Sequence, residues 1–162
     1  MQFHSKQLAL TVTILPDVVE WFIAQRQTSW LTTEAGGQLF GRATNGQWVV
    51  EICTGPRPTD VRSMCRYAPE VNTENKEIME MYERGMHFLG DWHTHYQKIP
   101  TPSRQDIVAT QRCYHGAITE LPGFLMIVVG KNFPEIPCSL SYLTESVIEH
   151  FKYRQFDGAG TD

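Results

Sequence analysis

From Leu8 to Leu15 apolar residues alternate with threonine and lead into Pro16, after which Val18, Val19, Phe22 and Ile23 recur at helical spacing. A strand running into a helix is predicted. Between Gly37 and Thr54 two apolar stretches, GQLFGRAT and QWVVEICT, flank Asn45-Gly46. That dipeptide supplies the positive φ angles of a tight turn, so an antiparallel hairpin is expected. Gly55 to Ser63 holds two prolines, two arginines and an aspartate and reads as a surface loop before a short extended piece, Met64 to Ala68. Asn72 to Met86 carries acidic residues early and Ile78, Met79, Tyr82 and Met86 at helical intervals, the pattern of an amphipathic helix with a solvated charged face. His87 to His95 reads as a strand, Tyr96 to Pro102 as a proline-containing loop and Ser103 to His115 as a helix. The unbroken apolar run Phe124 to Gly130 suits a central strand buried on both faces, with Ser139 to Leu143 as its antiparallel neighbour. Val147 to Phe156 fits strand and helix equally. Strands interrupted by about three helices predict an α/β (α+β) fold, a mixed and mostly antiparallel sheet with helices packed on it.

The 162 residues suit one domain, here placed at 1–156, with a glycine-containing tail at 157–162. Apolar residues make up 41% and charged residues 20%, the balance of a soluble globular protein. No apolar run approaches the roughly 20 residues of a membrane span, and the N-terminus lacks the features of a signal peptide. A cytoplasmic location and no membrane partner are therefore expected. Net charge is −4 and the basic residues are scattered singly, which argues against nucleic acid as a partner.

Cys53, Cys65, Cys113 and Cys138 are too widely spaced for a metal or redox motif and are expected to be buried thiols. Cys113 and His115, two apart on a helix, would point about 200° away from each other, which disfavours a thiol nucleophile. His4, His87, His115 and His150 have no motif around them. Trp21, Trp30, Trp48 and Trp92 are expected in the core or at an interface.

Chemistry is concentrated in Gly90-Asp91-Trp92-His93-Thr94-His95, the loop Tyr96 to Pro102, and Ser103-Arg104-Gln105-Asp106. Residues two apart on a strand face the same way, so His93 and His95 can offer two imidazole nitrogens to one ion. Asp106, in the first turn of the following helix, can supply a third ligand if the loop folds back. Two histidines, a carboxylate and an open fourth position describe a catalytic zinc site, where a water pKa near 7 and a polarised carbonyl become available. Ser103 and Asp106 also form a Ser-x-x-Asp pair that starts helices, a role that should compete with metal binding for Asp106. Asp91 shares the strand face of His93 and could orient a ligand or form a plain salt bridge, the second being expected. Glu34 precedes Gly36 and Gly37, where little side-chain bulk would obstruct a substrate lying close to the backbone, and is the candidate general base.

A glutamate before a Gly-Gly strand, then His-x-His, seven residues, Ser, two residues and Asp resembles the signature of the JAMM (MPN/JAB) zinc peptidases, matched at every position and across essentially the whole chain. The resemblance implies Zn2+ on His93, His95 and Asp106, Glu34 activating water, and Ser103 donating a hydrogen bond to the tetrahedral intermediate. It also implies cleavage after the C-terminal residue of a ubiquitin-like protein. The wording around the histidines is similar to that of stand-alone bacterial JAB peptidases of integrative elements and CBASS anti-phage operons. There the implied substrate is the C-terminal tail of a CD-NTase, joined to targets by an E1/E2-like conjugating enzyme. Rival readings are a peptidase that trims ubiquitin-like sulfur carriers, a metal-free MPN binding module, and a RadC-like protein of DNA metabolism. Many relatives have proline after the second histidine where this chain has Tyr96, which bears on loop rigidity and channel shape.

Overall fold

The computed structural model describes residues 1–154, so the tail expected at 157–162 and the domain end at 156 lie outside the described residues. The chain opens one strand earlier than its alternation predicts. Gln2–Ser5 (β1) pairs antiparallel with Leu10–Ile14 (β2), in which Leu10, Val12 and Ile14 are buried. Pro16–Gln25 (α1) follows as expected. Gly36–Thr44 (β3) and Gln47–Cys53 (β4) form the hairpin at Asn45-Gly46, although only Gly46, at φ 78°, takes a positive angle. The segment read as loop and extended piece contains a small hairpin, Val61–Ser63 (β5) with Arg66–Ala68 (β6), and then Val71–Glu83 (α2). His87–His95 (β7), Arg104–Gly116 (α3), Phe124–Gly130 (β8) and Ser139–Leu143 (β9) sit where predicted. The ambiguous C-terminal stretch is strand, Ile148–His150 (β10) and Lys152–Tyr153 (β11).

Among the described residues nine strands form one sheet in the order β10-β9-β8-β7-β3-β4-β2-β1-β11. The pairs β2/β4 and β7/β8 are parallel and the rest antiparallel. The two end strands, β10 and β11, are separated in the chain by Phe151 alone. One residue spans about 7 Å between its neighbours at most, so the sheet must curl until its edges meet. Phe151 is buried at that seam, and the Ser5 hydroxyl donates to Glu149 across it at 2.6 Å.

The helix α1 docks on one face of the sheet through Val18 and Phe22, whose ring lies 4.9 Å from Trp92 and 6.2 Å from Phe133. Full burial of such a side chain contributes roughly 1.5–3 kcal/mol. On the other face α3 lays Ile107, Thr110 and Tyr114 against Met126, Val128 and Phe124 of β8. The helix α2 differs from expectation: none of its residues is buried, and Met79 and Tyr82 of its apolar stripe are 60% and 69% exposed. Charge and capping hold it instead. Glu70 accepts from the amides of Asn72 and Thr73, and Glu77 pairs with Arg57.

Arg57 overturns the reading of its segment as plain surface. It is 8% exposed and gathers Glu77, Asp60 and Glu74, the Tyr67 hydroxyl, Gln38 of β3 and Thr54 just after β4. A buried cation persists only with such partners. Here it joins α2 and the β5/β6 hairpin to the edge of the cleft.

Candidate active site

The phase of β7 decides which residues reach the site. Leu39 pairs with Gly90 and Phe40 with Phe88, so Leu89 is an extra residue, a bulge. Before it, Phe88 packs against Phe124 on the α3 face. The bulge resets the alternation, so Leu89 and Trp92 both enter the core while Asp91, His93 and His95 face α3. Gly90 permits this, at φ 137° and in contact with Leu125 of β8.

His93 Nε2 lies 3.3 Å from Asp106 Oδ2, and His95 Nε2 lies 3.5 Å from the same oxygen. All three donor atoms fall within 4.8 Å of one another. Ligands about 2.0–2.1 Å from one tetrahedral ion are spaced by roughly 3.4 Å. The His93 Nε2 atom is buried without a hydrogen bond, a costly state that a coordinated metal relieves. His95 Nδ1 lies 3.1 Å from the Thr101 carbonyl; a proton there leaves the Nε2 lone pair facing the site. Burial lowers the pKa of His95 and favours the neutral ring that a metal requires. These residues fit a divalent metal such as zinc.

Asp106 caps its helix and faces both histidines at once, so the geometry of one role does not preclude that of the other. Its Oδ2 accepts the Ser103 amide at 2.6 Å while facing both histidines, and the Ser103 hydroxyl accepts the Asp106 amide at 3.2 Å. Burial pushes this carboxyl up, but the nearby charge of His93, with the Ser103 bonds, holds it well below the usual range. The capping box aims the Asp106 carboxylate at the two histidines, and the Ser103 hydroxyl keeps its own proton free to donate.

Glu34 is 8% exposed, with Oε1 4.0 Å from His95 Nε2. Burial pushes its carboxyl up to about 7, with His93 lowering and Asp106 raising it. Neighbouring Ala35 is laced to β7, its amide donating to Thr94 Oγ1 at 2.9 Å and its carbonyl accepting the Thr94 amide at 2.8 Å. Gly36 and Gly37 do not leave the open approach expected of them. An added Cβ on Gly36 would lie 2.6 Å from the Tyr67 ring, and one on Gly37 would lie 1.8 Å from the Thr54 carbonyl oxygen. Protein occupies that space.

The candidate residues line a cleft of about 1000 Å³ between the β5/β6 hairpin and α3. Asp91 lies deep in it, and among the described residues it makes no ion pair, so the expected salt bridge is not formed. Burial raises Asp91 to about 6, and burial together with Asp91 raises nearby Glu74 to about 8. Tyr96 carries Lys131 over its ring at 4.3 Å, and the loop after it is tied by Gln97, which accepts the Thr101 amide at 3.0 Å. The loop has internal bonds in place of a proline.

A thiol nucleophile finds no support, since the His115 ring pairs with Glu145 at 2.8 Å instead of with Cys113. Cys65 and Cys113 are exposed and Cys53 is half-buried, against the expectation of buried thiols, which Cys138 alone of the four meets; Trp30 at 63% and Trp21 at 41% are exposed too, whereas Trp48 and Trp92 are in the core. Sequence reasoning missed Arg57, Arg62 and Thr94 around the site. Their partners lie far along the chain, and only the glycine at position 90 gave a local hint of the bulge.

Residues 17–139 match the family of prokaryotic homologues of the JAB domain. The chain is 31% identical over 124 residues to a CD-NTase/cGAS isopeptidase of Vibrio cholerae serotype O1, covering 75% of this chain and 77% of that protein. It is 28% identical over 124 residues to a CD-NTase/cGAS isopeptidase of Escherichia coli, with the same coverage of 75% and 77%. A Desulfitobacterium hafniense protein solved in solution shares the fold, with a TM-score of 0.61 at 19% identity over 86% of this chain and 88% of that one. The chain belongs to the prokaryotic JAB-domain family.

Proposed function

We propose that the protein is a zinc-dependent isopeptidase that cuts after the C-terminal residue of a CD-NTase which an E1/E2-like enzyme has conjugated to a target. Such an enzyme would reverse conjugation in anti-phage defence. The observation that carries the chemistry is the buried, unbonded His93 Nε2 at ligand spacing from Asp106, with His95 and the buried Glu34 beside it. The names of the two bacterial relatives carry the substrate class.

His93, His95 and Asp106 would hold the ion. Zinc, when bound, supplies a water of lowered pKa and a Lewis acid for the scissile carbonyl. Glu34 accepts the proton of the attacking water and returns it to the departing amine, so the amide becomes a carboxylate and an amine. Ser103 donates a hydrogen bond from its hydroxyl to the carbonyl oxygen as charge develops there.

The test is cleavage of a CD-NTase bearing a C-terminal peptide extension, with the product mass locating the cut. Cleavage at the junction, stopped by a chelator, restored by zinc and lost in Glu34→Gln, is expected. Trimming of a ubiquitin-like sulfur carrier in its place would establish the rival processing role. Chelator-resistant cleavage would remove the metal mechanism, and tight binding of the tail without turnover would leave a binding module.

A further inference from the structure

Glu34 lies in the stretch between α1 and β3 and belongs to no strand or helix, so something outside it must set where its carboxylate points. Both of its backbone polar groups are engaged by consecutive residues of β5. Its amide donates to the Ser63 carbonyl at 2.7 Å, and its carbonyl accepts Arg62 Nε at 2.6 Å. With Ala35 bonded to Thr94, the dipeptide is spliced between β5 on one side and β7 on the other.

The hairpin that supplies Arg62 is itself anchored. The Gln27 side-chain amide donates to the Met64 carbonyl at 3.3 Å and to the Thr32 carbonyl at 2.6 Å. The Tyr67 ring lies against Gly36, and its hydroxyl donates to Asp60 at 3.0 Å. Arg62 does not line the cleft, whereas Ser63, Met64 and Tyr67 do.

We propose that Arg62 is a positioning residue for the reaction, holding the Glu34 backbone so that its carboxylate meets the attacking water, and that it acts only through Glu34. The inference rests on the peptidase reading above. A charge-assisted bond to a single carbonyl suits this task, because it removes the rotation of the peptide unit on which the side chain hangs. A misplacement of about 1 Å at a reacting group costs on the order of 100-fold in rate.

The test uses the full-length protein with zinc and the tail-extended substrate. Arg62→Ala should lower kcat by about 10- to 100-fold with KM within about twofold and zinc content unchanged, and Arg62→Lys should recover part of the loss. In a Glu34→Gln background Arg62→Ala should cause no further loss. Independently of activity, amide exchange at Glu34 should accelerate in Arg62→Ala while Val128 in β8 stays protected. A raised KM with unchanged kcat, or an equal loss in the Glu34→Gln background, would overturn the proposal. If Glu34→Gln alone retains turnover, the base assignment fails instead, and the exchange rates still report whether Arg62 restrains Glu34.

Discussion

Gly90 presses its backbone against Leu125, where an added Cβ would lie 1.9 Å from the carbonyl oxygen. Its φ of 137° adds a second barrier to any side chain. Gly90→Ala should therefore destabilise the fold by about 3 kcal/mol or more and disturb the phase of His93 and His95. Chemical denaturation and elemental analysis of the soluble fraction check both effects. Wild-type stability with full zinc would show that the bulge is not required.

Metal binding should be readable in thermal stability. At free zinc a thousandfold above its Kd the native state gains about 4 kcal/mol, so a chelator should lower the Tm of the wild type. His93→Ala and His95→Ala should show low zinc content and a Tm indifferent to the chelator. Asp106→Ala should do the same and lose a further ~1 kcal/mol, because the capping box goes with the ligand. Full zinc occupancy in all three variants would remove the ligand assignment.

Thr94, wholly buried, uses its hydroxyl only to receive the Ala35 amide. Thr94→Val keeps the shape and orphans that amide, at a cost of about 1–3 kcal/mol. Because Ala35 adjoins Glu34, turnover should fall while zinc content is retained. Urea denaturation and kcat measured on one preparation test the pair of effects.

How much of this was legible in the chain depends on the range of each interaction. His93 and His95 could be placed on one face because strand alternation is local, and Ser103 with Asp106 because a helix start is local too. The bulge at Leu89 is not local, since it arises where β7 must meet β3 and β8 at once. Arg57 looked like a loop arginine, because its acid partners on α2 are brought near only by the fold. β1 was missed because four residues are too few to show a period, and its partners lie at the two ends of the described chain. Whether the chain ends in a tail at 157–162 lies outside the described residues.

Acid should loosen the start of α2. Glu70 accepts from the amides of Asn72 and Thr73 and from the Thr73 hydroxyl, and these bonds lower its pKa from the ordinary 4.5. A lowered folded pKa means the contribution is present above the unfolded value and lost as pH falls through the folded one. The stability difference between wild type and Glu70→Ala should thus be present at neutral pH and disappear on acidification below about 4.5. A difference that grows on acidification would reverse the assignment.

The seam at Phe151 has a consequence for biosynthesis. A ribosome delivers β1 before every other described strand and β10 and β11 after them, yet β1 pairs with β11 and β9 with β10. Until β10 and β11 have emerged, both margins of the sheet stand open, with β1 and β9 each presenting an unpaired row of backbone groups to other chains. Closure waits for translation to pass Tyr153, so any nascent chain that has not reached it carries an exposed margin.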